Sequence, residues 1–133
     1  SAITGGATFV ERAFAGDPAH MKGIMKEAIA HRGFALVDVL QPCVTFNKLN
    51  TYDFFTKRCY KLEEAGHDPS DMMKALEKAI EGPNTNYEKI AIGVFYKAQK
   101  PTYEDSLPQI KDNALVEQDI SSVDISAVCE ELM

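Results

Sequence analysis

The stretch GDPAHMKGIMKEAIAHRGFALVDVL, residues 16–40, limits what this chain can fold into more than any other. Asp17 is a good helix N-cap, and Pro18 at the first helical position has no N–H to leave unpaired. Met21, Ile24, Met25, Ala28 and Ile29 then recur at i, i+3, i+4, i+7 and i+8, which is one apolar stripe of a helix. Lys22, Lys26 and Glu27 lie off that stripe. Gly33 can take the left-handed conformation that closes a helix. Phe34–Leu40 follows with six apolar residues in seven, the pattern of a strand covered on both faces of a parallel sheet. Upstream, ATFVERAF (7–14) reads as a short strand. Strand, helix and strand with tight links form a βαβ unit, whose crossover should be right-handed.

The same punctuation returns. Asp68 and Pro69 are expected to open a second helix with Met72, Met73, Leu76, Ala79 and Ile80 as its stripe, and Gly82 and Pro83 to stop it. IAIGVFY (90–96) reads as a further strand, in which Gly93 weakens the strand pattern or marks a close approach. A short helix is expected from about Thr51 to Glu64, loop from 101 to 120, and a Ser-capped terminal helix in SSVDISAVCEEL whose apolar residues would need a surface to dock on. The fold class is therefore α/β: a partial, mostly parallel three-layer sheet, thin enough to be part of a larger one. A truncated sheet exposes an edge or an apolar face, so self-association is an expected property.

At 133 residues the chain has the length of one domain, and 45% apolar with 26% charged residues marks a globular class. No apolar run approaches the ~20 residues of a membrane span, and no secretory signal is visible. Three cysteines without a close pair make no disulfide framework, so a cytoplasmic location is expected. The start, SAITGG, lacks an initiator Met, as expected of a chain that begins inside a longer polypeptide or after a cut. The net charge of −6 is uneven: residues 104–133 hold eight acids and one base, and residues 1–103 hold 12 acids and 13 bases. An acidic C-terminal extension, 104–133, is thus set apart from a near-neutral 1–103. No basic nucleic-acid footprint is present, and neither nucleic acid nor membrane is an expected partner.

Cys43 lies three residues past the end of the 34–40 strand, after Pro42. Ligands of open α/β sheets bind beyond the carboxyl ends of the strands, and a thiolate there is a potential nucleophile or metal ligand. A buried thiol acting as a small apolar residue is the plainer alternative. Zinc and iron–sulfur sites take about four ligands, usually with a close Cys pair; there is no C-x-x-C, and Cys59 and Cys129 are far off in sequence. His20, His31 and His67 are surface or capping residues or partners of a Cys–His pair, and Asp38 is a satisfied core residue or a site residue. GGA (5–7) and GDP (16–18) are not phosphate loops.

Together GATFVERAF, HMKGIMKEAIAHRGFALVDVLQPCVTFN, NTYDFF and IAIGVFY resemble the C-terminal half of the β subunit of 2-oxoacid:ferredoxin oxidoreductases, from about residue 3 to residue 103. The most specific segment is GFALVDVLQPCVTFN. The resemblance implies a thiamine-diphosphate-binding fold over 1–103. It implies a complex that decarboxylates a 2-oxoacid oxidatively, forms an acyl-CoA and passes electrons through iron–sulfur clusters to ferredoxin. It implies thiamine diphosphate, Mg and a [4Fe–4S] cluster in the parent complex, with Cys43 as one cluster ligand and the other cysteines in the N-terminal half of the subunit. Expected partners are that N-terminal half, the other subunits, ferredoxin, CoA and the 2-oxoacid. The diphosphate motif G-D-G with its downstream Asn does not occur here, so neither cofactor nor catalytic residue is expected on this chain alone. The alternatives are a small non-enzymatic interaction module and a cysteine-dependent hydrolase.

Overall fold

The computed structural model describes residues 1–119 and 121–132. They form two compact units, Ser1–Lys100 and Pro101–Met133.

The first unit is built on one sheet. Its strands are β1 (Phe9–Phe14), β2 (Ala35–Leu40), β3 (Cys59–Lys61) and β4 (Ile90–Lys97), in the order β2-β1-β4-β3. β1 and β2 run parallel, Phe9 opposite Ala35 through Phe14 opposite Leu40. Helix α1 (Pro18–Ala30) links them as expected. Asp17 accepts the His20 amide at 3.0 Å. The helix ends at His31 in extended conformation, ahead of Gly33, whose φ is +130°.

A second βαβ unit was only half legible. β3 runs parallel to β4, with Cys59 opposite Ile90 and Lys61 opposite Ile92, and α3 (Met72–Asn84) lies between them in sequence. The two units meet where β1 and β4 pair antiparallel, with a shift in register between Val10 and Glu11. The expected helix over 51–64 is a five-residue helix, α2 (Tyr52–Thr56), capped by Thr51, followed by β3. Three strand residues are too few to establish a period of two. α3 begins one turn later than Asp68 suggested: Asp71 accepts the Met73 and Lys74 amides, while Asp68 holds the turn before it through Ser70. Gly82 and Pro83 lie inside its last turn, and the chain leaves through Asn86 and Tyr87 in left-handed conformation.

Successive residues of β1 point to opposite faces. The Phe9 ring stacks on His31, just past α1, at 5.1 Å. Val10 packs with Leu76 and Ala79 of α3 in the core around Ala75, Ala91, Phe95 and Tyr96. α1 and α3 therefore cover opposite faces, giving three layers. The helix stripes are narrower than their patterns: in α1, Ile24 is buried and Ile29 exposed, and in α3, Ala75 is buried and Met73 and Ile80 exposed.

β2 differs from its expected burial. It is the sheet's edge; Leu36 and Asp38 are exposed and its other residues are half-buried. Phe34 is 63% and Leu36 37% exposed. Leu36 and Asp38 line a ~480 Å³ groove whose other wall is Leu76, Ala79 and Ile80 of α3. Among the described residues, a strand with the composition of a sheet centre stands here with one edge unpaired.

In the second unit, two turns of 3₁₀ helix (Glu104–Ser106 and Leu115–Glu117) precede helix α4 (Ser126–Glu131). No serine caps α4; the Ser126 amide donates instead to Asp124. Its Val128 and the neighbouring Val123 and Leu132 are exposed.

Candidate functional site

The β1–β2 pairing continues one step beyond the strands, where the Ala15 amide donates to the Leu40 carbonyl at 3.0 Å. Pro42 is buried behind it and Cys43 is exposed. The loop after β2 then closes on itself. The Phe46 and Asn47 amides donate to the Cys43 carbonyl at 3.2 and 2.8 Å. Asn47 Oδ1 accepts the Leu49 and Asn50 amides at 2.9 Å each. These bonds hold the backbone around Cys43 while leaving its thiol at the surface, beside Val44 and a Phe46 that is 90% exposed. A buried thiol acting as an apolar filler does not describe this position.

The other cysteines differ. Cys59 sits half-buried in β3, and burial pushes its thiol up to about 11, far from thiolate at neutral pH. Cys129 is exposed on α4 in the second unit. Among the described residues, no three His, Cys, Asp or Glu side chains come together as a metal site. The chemistry at Cys43 is therefore that of a single donor.

Two of the histidines, His31 and His67, are hydrogen-bonded to groups outside this loop. His31 Nε2 shares a hydrogen bond with Thr8 Oγ1 at 2.8 Å. His67 Nε2 donates to the Phe95 carbonyl at 2.8 Å. His20 Nε2 is 3.5 Å from Glu63 Oε2. Asp38 is not a core residue: it is exposed on the edge strand and accepts from Arg12 Nε, its cross-strand partner, at 2.7 Å. The Arg12 guanidinium lies over the Phe95 ring, 5.2 Å from its centroid.

One buried group lay outside the sequence reading. Glu11, in the middle of β1, is 1% exposed, and among the described residues neither carboxyl oxygen has a hydrogen-bond partner. Burial raises its pKa to about 7, reinforced by the nearby charges of Glu27 and Glu63 and opposed by Lys97. The signal was present in Phe9-Glu11-Ala13, an acid at the centre of an otherwise apolar period-two face.

Comparison with known proteins places these features in a family. Residues 43–112, beginning at the exposed cysteine, match the family model for the C-terminal region of the pyruvate ferredoxin oxidoreductase beta subunit. A 2-oxoacid:ferredoxin oxidoreductase subunit beta from a Sulfolobus species is 39% identical over 113 residues, 80% of this chain and 37% of that protein. The subunit beta of 2-oxoacid:ferredoxin oxidoreductase 1 from Aeropyrum pernix is 43% identical over 115 residues, 81% of this chain and 36% of its own. Among solved structures, 2-oxoglutarate:ferredoxin oxidoreductase from Magnetococcus marinus, with 2-oxoglutarate, coenzyme A and succinyl-CoA bound, superposes with a TM-score of 0.77 at 32% identity, covering 98% of this chain and 42% of that one. The chain thus spans about two-fifths or less of the length of these relatives. The matches favour an oxidoreductase component over a free-standing interaction module. This chain belongs to the family of C-terminal segments of pyruvate ferredoxin oxidoreductase beta subunits.

Proposed function

We propose that the chain is the C-terminal part of the thiamine-diphosphate-binding β subunit of a 2-oxoacid:ferredoxin oxidoreductase. The parent complex would convert a 2-oxoacid and CoA to an acyl-CoA, with ferredoxin as electron acceptor. The observation that carries this reading is the exposed thiol of Cys43 on a loop fixed by its own hydrogen bonds, directly after an unpaired edge strand. One accessible donor on a stiff mount fits a contributed ligand of a shared cluster. It does not fit a complete [4Fe–4S] site, which takes four protein thiolates. Cys43 would hold one iron as thiolate, with three cysteines supplied by the N-terminal half of the subunit. The cluster, when bound, supplies a one-electron carrier. Thiamine diphosphate and Mg would be held outside this chain, since no G-D-G motif occurs in it. The 133 residues alone are accordingly inactive, free of cofactor, and prone to self-association through β2.

The N-terminal half would pair with the free edge of β2 and fill the groove between Leu36, Asp38 and α3. That accounts for a strand of six apolar residues in seven standing at an edge. Among the described residues no helix is long and apolar enough to cross a membrane, and the proposed location is the cytoplasm. The ligands of the Magnetococcus relative, 2-oxoglutarate and CoA, suggest the substrate classes here. The test is ferredoxin reduction by the assembled complex, assayed over a panel of 2-oxoacids with CoA. Activity dependent on both substrates is expected, with none from the 133-residue chain. A complex inert to every 2-oxoacid, or turnover by the chain alone, contradicts the reading.

A further inference from the structure

The best-buried ionisable side chain lies away from the Cys43 loop and takes no part in the proposed chemistry. Glu11 points to the same face of β1 as Phe9 and Ala13, both fully buried. Every element packed against that face contributes to its surroundings. From α1 come Glu27 and His20, from the segment after β3 Glu63, and from β4 Lys97. β2 contributes Val37, opposite Glu11 in the register, and no charge. Lys97 Nζ pairs with Glu27 Oε2 at 3.1 Å, and Glu63 Oε1 accepts the Val94 amide at 3.0 Å. Val94 is itself the register partner of Glu11 across the irregular β1–β4 seam. The rim thus sets two carboxylates against one lysine; these three side chains are about half exposed, while His20 beside them is mostly buried and Glu11 beneath them is sealed.

An ionised carboxylate without a hydrogen-bond partner is costly in such a place, and the group neutralises instead. We propose that Glu11 stores a proton in the folded chain beneath a charged rim of Glu27, Glu63 and Lys97, and that releasing this proton to water loosens the β1–β4 seam. The coupling is local. An ionised Glu11 stands beside the Glu63 carboxylate that holds the Val94 amide, and like charges repel. The device responds across neutral pH and is independent of the enzyme assignment.

The test is pH-difference infrared spectroscopy of the complete subunit, reading the carbonyl band of a protonated carboxyl. The band is expected at about pH 6 and lost by about pH 8, with a midpoint well above the ordinary glutamate value of 4.5. It should be absent in Glu11→Gln. Glu63→Gln should shift the midpoint down, and Lys97→Met should shift it up. The two rim variants keep the proposal decidable if Glu11→Gln does not fold. A band that persists in Glu11→Gln, the lack of any carboxyl titrating between about pH 6 and 8, or a midpoint indifferent to both rim variants overturns it.

Discussion

The carboxylate of Glu63 lies against the Cα of Gly93: a Cβ built there would come within 2.4 Å of Glu63 Oε1. The same Oε1 accepts the Val94 amide at 3.0 Å, and Gly93 has a φ of +109°, outside the range side chains tolerate. A strand interior normally disfavours glycine. Here the close approach anticipated from the sequence is real, and the group that approaches is an acid from the segment after β3.

Gly93→Ala therefore combines two costs. The backbone strain is on the order of 1–3 kcal/mol. Glu63 can swing clear of the new methyl, but only by giving up the Val94 amide, a charged hydrogen bond of about 1.5–3 kcal/mol. Glu63→Ala loses the second term alone, so the double variant should be less destabilised than the sum of the singles. Urea midpoints of the four proteins in a double-mutant cycle measure this. Strict additivity would mean that the carboxylate and the glycine are not coupled.

Opposite pH dependences are expected from Asp17 and Glu11. The His20 amide, and then Lys61 at 3.0 Å, hold the Asp17 carboxyl below its usual value of 3.8. Its folded pKa is depressed, so its contribution is present above that usual value and lost as pH falls through the folded one. Asp17→Asn should keep the cap and flatten the acid limb, while Asp17→Ala should cost about 1 kcal/mol. Glu11 is the reverse. Its folded pKa of about 7 exceeds the ordinary 4.5, so the stability it contributes is full below the ordinary value and falls as pH rises to about 7. Thermal midpoints from acid to alkaline pH should fall across that second window in wild type and stay flat there in Glu11→Gln. A wild-type midpoint rising across it contradicts the assignment.

The free edge of β2 makes a prediction that depends on context. Leu36 is partly exposed in this chain, so Leu36→Lys should alter the stability of residues 1–133 by no more than about 0.5 kcal/mol, as surface changes do. In the complete subunit the proposed N-terminal half covers it. There the same change places a charge in an apolar seam and should cost about 2 kcal/mol or more. Thermal unfolding of both lengths decides. Equal effects in the two would mean that nothing docks on this face.

Helices and caps were legible where a local rule sufficed. Asp17-Pro18 fixed the start of α1, and Asp68-Pro69 pointed to within four residues of the start of α3. The misses share one cause: they depend on partners distant in sequence. β3 is a strand because Ile90 and Ile92 bond to its neighbours, not because Cys-Tyr-Lys shows a pattern. Phe34–Leu40 has the composition of a central strand, and only the sheet order shows it at an edge. Asp38 looked buried for the same reason and is instead the exposed partner of Arg12. At the site, the place of Cys43 beyond the strand end was readable. Its exposure was not, since that comes from the hydrogen bonds that Asn47 and the Cys43 carbonyl collect. Glu11 was missed because an acid in a short strand reads as solvent-facing until α1 and Glu63 are laid over it.

The central claim is that Cys43 is built to meet metal ligands from elsewhere in its subunit. The measurement that tests it most directly is iron content and the EPR signal of the reduced, assembled complex carrying Cys43→Ser, beside Cys59→Ser as control. The account predicts loss of iron and loss or alteration of a cluster signal in Cys43→Ser alone. Unchanged iron and an unchanged spectrum in that variant would contradict it.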